Sequence, residues 1–259
     1  DIIKIIEMQI SEFKFESINL FRKLYRADNY FQTLGYYSAS IVEQRNCAFY
    51  LIERLNSRFI ALGFIKRFGI FNILWCPGGV CEVVQKEDIE VSKTVRVLGC
   101  IIGNLDSSIT ANISNSRLVG PYQSLIYDLS KDIKTVCSKN WRKSLSKANK
   151  RDLNFRRASQ DDLDKIITLY KNLEEYKSLG KQIEYRKLEY DLKNIESNTL
   201  IFVCTDSENE ILAVRGIGQS SNRCFDLYSV MSYRGKKNYA GHFLLEKLIC
   251  YLKEKKFAF

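Results

Sequence analysis

Two strings organise this sequence: WRKSLSKANK at 141–150 and NYAGHFLLEKL at 238–248. In the first, Leu145 and Ala148 fall on one side of a helix with Trp141 one turn before. Arg142, Lys143, Lys147 and Lys150 crowd the other sides. An apolar spacing of three to four residues is enough to bury one stripe, so the remaining faces are left to positive charge, as a surface that meets phosphates requires. The second string opens a helix at a sharp turn with Ala240 and Gly241, two small residues that allow close backbone approach. Read together, the strings predict a site for a phosphate-bearing substrate, and an enzyme rather than a structural protein.

Working outward, the pattern around each string is α/β. The stretch 124–129 reads as a strand, with Asp128 or Ser130 able to cap the next helix. The basic helix is expected over 139–151 and a strand over 153–157. Ser159 then stands as N-cap before Asp161 and Asp162, acidic residues where a helix dipole favours them. A further helix at 182–196 precedes strands at 199–205, 210–219 and 224–231, and the last helix spans 238–254. Upstream, helices are expected at 16–27 and 35–43. Strand-like runs come next at 47–55, 59–68 and 71–75, with turns at Asn56-Ser57 and Phe68-Gly69 as an antiparallel meander requires. A helix over 88–105 and a strand over 108–113 complete the half. The fold expected is therefore α/β (α+β): two tandem units, 1–120 and 121–259, each a mainly antiparallel mixed sheet flanked by helices.

Composition narrows the function classes. With 259 residues, 46% hydrophobic and 27% charged, the chain has material for a substantial core. The net charge of +10 implies an anionic partner: nucleic acid, a nucleotide- or lipid-linked diphosphate, or an anionic membrane surface. The eight cysteines are scattered without a CxxC pair, and Cys76 and Cys81 lack partners for a zinc site. They fit a reducing, cytoplasmic setting, and no metal is expected. No apolar run reaches the about 20 residues of a membrane span. No Ser/His/Asp triad or Walker loop is present. The chain starts at Asp1 and stops mid-pattern at Phe259, so a fragment of a longer protein is expected.

The order SLIYDLS, SKNWRKSLSKANKRDLNF, SQDDLDKIITLYKNL and YSVMSYRGKKNYAGHFLLEKLICYLKEKKFAF resembles the FemABX aminoacyltransferases and their acetyltransferase-like (GNAT-like) relatives. The pattern Ser-Lys-x-x-Arg-x-x-x-x-Lys-Ala-x-Lys covers Ser138 to Lys150. YFQTLGYYSAS resembles the family's aromatic-Gln-Ser/Thr opening, and WCPGGV at 75–80 its Pro-Gly-Pro loop. The departures are Tyr36 where Trp is frequent, Ser40 where Lys is, and Asp152 where Gly is. The family also continues past the last helix into a further strand and a Phe-Lys pair, whose Lys is a candidate for stabilising transition-state charge.

The resemblance implies two GNAT-like units and transfer of an aminoacyl group from aminoacyl-tRNA to an amine. The acceptor would be a diphosphate-linked sugar or peptide precursor of peptidoglycan or surface polysaccharide, with peripheral contact to an anionic membrane where it is lipid-linked. No tightly bound cofactor is expected. Such chemistry needs the substrates held together, the oxyanion stabilised and one proton managed. Lys139 and Arg142, with Lys147 beyond them, are the candidates for the diphosphate, because a guanidinium fork matches phosphate oxygens. Tyr228 lies on the strand before the last turn, where this fold would admit the acyl group. Arg234 opens the segment that in an acetyl-CoA enzyme cradles pyrophosphate. Here that segment carries Lys237 and Tyr239 where glycines allow close approach, which disfavours acyl-CoA as donor. Asn238 and its turn are expected to present backbone N–H groups to an anion. The alternatives are an acyl-CoA-dependent N-acyltransferase acting on a sugar amine, and a non-catalytic basic module binding tRNA or an anionic glycan.

Overall fold

The computed structural model describes residues 9–13, 36–38, 40, 47–54, 57–77, 80–82, 91–96, 99–102, 128–180, 184–194, 198–220 and 223–255. The chain divides into two compact units, Asp1–Leu125 and Ile126–Phe259. The expected helix at 16–27 and strand at 108–113 lie outside the described residues. Of the helix expected at 35–43, residues 36–38 and 40 are described and are helical.

The first unit is built on one sheet, with strands β1 (Gln9–Phe13), β2 (Cys47–Arg54), β3 (Ser57–Phe68), β4 (Phe71–Cys76), β5 (Cys81–Glu82), β6 (Val91–Val95) and β7 (Gly99–Ile102). Their order is β6-β1-β2-β3-β4-β7, with β5 pairing β3. The meander read from the sequence is present: β2, β3 and β4 pair antiparallel in succession. Tyr50, Ile52, Phe59, Ala61 and Leu74 are buried in one cluster on it, and the Tyr36 ring meets Phe64 edge-on at 6.3 Å.

Of the helix expected over 88–105, residues 91–96 and 99–102 are described, and Val91–Val95 and Gly99–Ile102 are strands instead. Val91, Val95, Leu98 and Ile102 recur at helical spacing, which is the signal for a helix. Val91, Thr94 and Val95 are also β-branched, and a long-range partner decides between the two conformations. That partner is β1, which pairs β6 antiparallel and carries no distinguishing sequence signal. β7 joins β4 in parallel.

The second unit runs α1 (Ile133–Val136), α2 (Lys139–Ala148), β8 (Asn154–Arg157), a 3₁₀ turn (Gln160–Asp162), α3 (Leu163–Tyr176), α4 (Tyr185–Lys193), β9 (Thr199–Thr205), β10 (Ile211–Ser220), β11 (Arg223–Met231), α5 (Tyr233–Lys237) and α6 (Ala240–Glu254). The strands form an antiparallel sheet in the order β11-β10-β9-β8. One face carries α6, whose Phe243, Leu244 and Leu248 pack with Leu212 and Phe202. The other carries α3 and α4 through Ile166, Tyr170 and Leu188.

Helix α2 buries what its sequence offers. Leu145 and Ala148 are buried, and full burial of one Leu contributes about 1.5–3 kcal/mol. Its cap is Ser138, whose Oγ accepts the Trp141 N–H at 3.3 Å. Asp132 caps α1 through the Lys134 N–H, so neither Asp128 nor Ser130 caps a helix. Asp128 instead accepts from the N–H and hydroxyl of Ser130. Of 124–129, only residues 128 and 129 are described, and neither is in a strand. The last helix begins two residues later than expected, because α5 intervenes.

Arg156 grips the buried Asp162 with two hydrogen bonds of 2.7 and 2.8 Å, and the Ser159 N–H adds a third at 2.8 Å. Chiefly the Arg156 bonds, with the Ser159 bonds, hold the Asp162 carboxyl below its ordinary range. A depressed folded-state value stabilises the fold above the unfolded pKa of about 3.9 and loses that contribution as pH falls through the folded value. Asp162→Asn is expected to cost about 1–3 kcal/mol at pH 7 and to flatten the loss of stability below about pH 4. Urea denaturation at pH 7 and pH 3 checks this; a variant as stable as wild type at pH 7 would contradict it.

Candidate functional site

The second unit carries a solvent-open cavity of about 220 Å³ between the sheet and the head of α6. Its floor is residues 213–215 of β10 and Ser229, Val230 and Met231 of β11. The opposite wall is Trp141 of α2 with Gly241, His242, Leu244 and Leu245 of α6.

The head of α6 is brought to the sheet by a close contact. A Cβ on Gly235 would lie 2.1 Å from the Leu212 carbonyl oxygen, so only glycine fits there. The same carbonyl accepts the Ser232 N–H at 2.9 Å, and Ser232 Oγ accepts the Gly235 N–H at 2.9 Å. The chain then turns through Tyr239, which sits in the left-handed region at φ 58°, ψ 26°. A side chain there costs about 1–2 kcal/mol relative to glycine. Tyr239 OH accepts from Lys147 Nζ at 3.3 Å, and that ammonium lies 5.4 Å from the ring centroid. This contact joins the basic helix to the head of α6.

His242 is the only histidine in the chain. Its ring lies 5.6 Å from Trp141 and 6.1 Å from Tyr239. Burial among them lowers its pKa from 6.5, so the imidazole is neutral at pH 7 and has a lone pair to accept a proton. On the floor, Arg215 reaches Ser229 Oγ at 3.5 Å and Asp226 at 3.5 Å.

The six residues singled out from sequence take different places. Lys139 and Arg142 are exposed on α2 and make no ion pair among the described residues. Lys147 is exposed and engaged with Tyr239. Arg234 is held by the β9–β10 turn, 2.9 Å from Asp206, bonded to Glu210 and 4.0 Å from Glu208. Asn238 ends α5 rather than starting α6. Its N–H and its side-chain amide both donate to the Arg234 carbonyl, at 3.0 and 3.1 Å, so neither is presented to a ligand.

Tyr228 packs on the α3–α4 face. Its hydroxyl donates to buried Asp191 at 2.6 Å and accepts from Lys187 at 2.7 Å, and Lys187 also bonds Asp191. Gly216 leaves the room for this ring, since a Cβ there would lie 2.4 Å from it. Side chains alternate along a strand, and it is the next residue, Ser229, that lines the cavity. Sequence reasoning misses Arg215 and Ser229. The available signal is a lone charge in ILAVRGIGQS, an otherwise uncharged strand.

No protein-family model and no curated protein matches the sequence. Among solved structures, FemX matches with a TM-score of 0.65 over 95% of this chain and 86% of its own, at 11% identity. The chain has the FemX fold. A conserved protein of unknown function from Bacteroides thetaiotaomicron matches with a TM-score of 0.55, 13% identity, and 96% and 88% coverage. L-PGS from Bacillus licheniformis matches at 0.53, 14% identity, and 78% and 66% coverage. The α/β class and the FemABX-like, GNAT-like architecture expected from sequence are thus found in the FemX fold. Among the described residues no His/Cys/Asp/Glu group could hold a metal, and no helix is long and apolar enough to cross a membrane.

Tyr228→Phe is expected to cost about 1–3 kcal/mol of stability, because it strips a buried carboxylate of one donor. It should leave ligand binding at the α6 cavity unchanged. Urea titration and a binding isotherm on the same variant check both halves; a weaker isotherm would place Tyr228 in the site.

Proposed function

We propose that the chain is an acyltransferase that moves an aminoacyl group from aminoacyl-tRNA to an amine of a cell-envelope precursor, of peptidoglycan or surface polysaccharide. The observation that carries this reading is the cavity at the head of α6, lined by a neutral imidazole, a hydroxyl and a guanidinium together with Trp141, Met231, Leu244 and Leu245. The FemX fold supports it.

The geometry also argues for the donor. A pyrophosphate cradle needs close backbone approach at the turn before α6. Tyr239 occupies that turn with its side chain, and Arg234 is already neutralised by three carboxylates. Both features count against acyl-CoA. The exposed cation Lys139 stands on the face of α2 opposite Leu145 and Ala148, and exposed Arg142 flanks that buried stripe one turn before Leu145; a diphosphate acceptor or the tRNA backbone would be held there. The reading carries with it a cytoplasmic location, no tightly bound cofactor, and peripheral contact with an anionic membrane where the acceptor is lipid-linked.

In this mechanism the acceptor nitrogen attacks the ester carbonyl. A C–N bond forms and the C–O bond to the tRNA 3′ oxygen breaks. His242 accepts the N–H proton and returns it to that leaving oxygen. The amides of His242 and Phe243 are taken by the Tyr239 carbonyl, so the oxyanion donors in this mechanism are the Ala240 and Gly241 N–H groups at the head of α6, where Gly241 lines the cavity.

The test is label transfer. Radiolabelled mixed aminoacyl-tRNA and, separately, acetyl-CoA are offered with a panel of nucleotide- and lipid-linked sugar precursors. Label moving from tRNA is the expected result. Label moving from acetyl-CoA alone, or from neither, would overturn the proposal. Two variants sharpen it. Arg142→Ala should weaken diphosphate-acceptor binding by about 1.5–3 kcal/mol with an unchanged melting temperature; equal acceptor affinity would remove Arg142 from the site. His242→Ala should slow transfer by about 10²–10⁴-fold. Because burial lowers the His242 pKa, the acidic limb of kcat/KM should fall below pH 6.5 and vanish in that variant. A limb that persists there belongs to another group.

A further inference from the structure

Resting on the acyl-transfer reading above, we propose that the cavity selects an aminoacyl group whose own side chain ends in a carboxylate, and that Arg215 is the residue that holds it. A guanidinium offers five N–H donors. Among the described residues Arg215 has two partners, both at 3.5 Å: the Ser229 hydroxyl and the Asp226 carboxylate. Both contacts lie beyond the usual length of a charge-assisted hydrogen bond, so most of its donor capacity is unused. The Asp226 side chain is 54% exposed and the Arg215 side chain 24% exposed; desolvation still holds the Asp226 carboxyl above its ordinary range, only partly offset by Arg215. Trp141, Ala213, Met231, Leu244 and Leu245 supply apolar side chains around it, and a partly desolvated cation beside them favours an anion over a neutral chain.

Size and charge identify that anion. About 220 Å³ accommodates an amino-acid side chain and is smaller than the sites that enclose nucleotide-sized ligands. One guanidinium already sharing a carboxylate matches a monoanion bidentately. Phosphates have the exposed cations of α2 instead. The hydroxyl of Ser229, beside Arg215, is placed to donate to the second carboxylate oxygen.

The test uses Trp141 as reporter, since it lines the same cavity and Trp75→Phe leaves it the sole tryptophan. The probes are 3′-aminoacylamino-3′-deoxyadenosines carrying glutamyl, aspartyl, alanyl or lysyl groups, and inorganic phosphate. An acidic analogue should bind at least about tenfold tighter than the alanyl and lysyl analogues, the effect of one charge-assisted pair. Arg215→Met should erase that gap, Arg215→Lys should restore part of it, and thermal melts of each variant confirm folding. Equal affinities for all four analogues, no binding by any, or a gap that survives in Arg215→Met would overturn the proposal. Phosphate binding that depends on Arg215 in place of the acidic analogues would overturn it too. Label transfer separates the two readings. Transfer of a neutral amino acid would leave the enzyme reading intact and sink this one. Arg215-dependent discrimination without transfer from any charged tRNA would do the reverse.

Discussion

The contact between Gly235 and the Leu212 carbonyl fixes the geometry on which the candidate site depends. With a Cβ excluded there at 2.1 Å, the short helix α5 lies directly on β10, pinned by Ser232 to the same carbonyl. The chain must then reverse into α6 within two residues, which puts Tyr239 in the left-handed region. Its contact with Lys147 offsets part of that strain and ties α2 to α6. His242 comes one turn later, against Trp141 of α2. Glu246, largely buried, ties α6 again to the end of α2 through Asn149 and also to α1 through Lys134, both at 3.5 Å. A strained residue beside a cavity is a common mark of a functional site, and here its cause is local and visible.

Charge is sorted around this geometry. Lys139 and Arg142 stay exposed without ion pairs among the described residues, available to an extended anion. Arg234, which the sequence would assign to the same task, is engaged by Asp206, Glu208 and Glu210 and serves to anchor the β9–β10 turn to α5. Arg215 lies between the two cases, loosely partnered at the cavity floor. The buried Lys187–Asp191–Tyr228 cluster belongs to the opposite face of the sheet. It binds α4 to β11 and is remote from the chemistry proposed.

Much of the second unit is legible in the sequence because local signals agree with tertiary demands. Helix α2 can be read from Leu145, Ala148 and its cations, and strands β9 to β11 from largely apolar stretches bounded by turns. The helix expected at 88–105 fails because Val91, Val95 and Ile102 satisfy helical spacing while pairing with β1 and β4 decides the outcome. Tyr228 is a different case. Its strand is read correctly, but a sequence does not state which face of a strand meets α6, and alternation puts Ser229 at the cavity in its place. Arg234 and Asn238 look available in sequence; Arg234 is consumed by carboxylates that reach it only when the β9–β10 turn folds beside α5, and Asn238 by the Arg234 carbonyl at the end of α5.

The central claim is that the cavity beneath the head of α6 receives the acyl end of the donor. A structure of the full-length protein crystallised with a stable 3′-aminoacylamino-3′-deoxyadenosine tests it most directly. The account predicts the aminoacyl group between Trp141 and His242, over Arg215 and Ser229, with the adenosine outside. An analogue bound elsewhere on the protein, with this cavity unfilled, would contradict it.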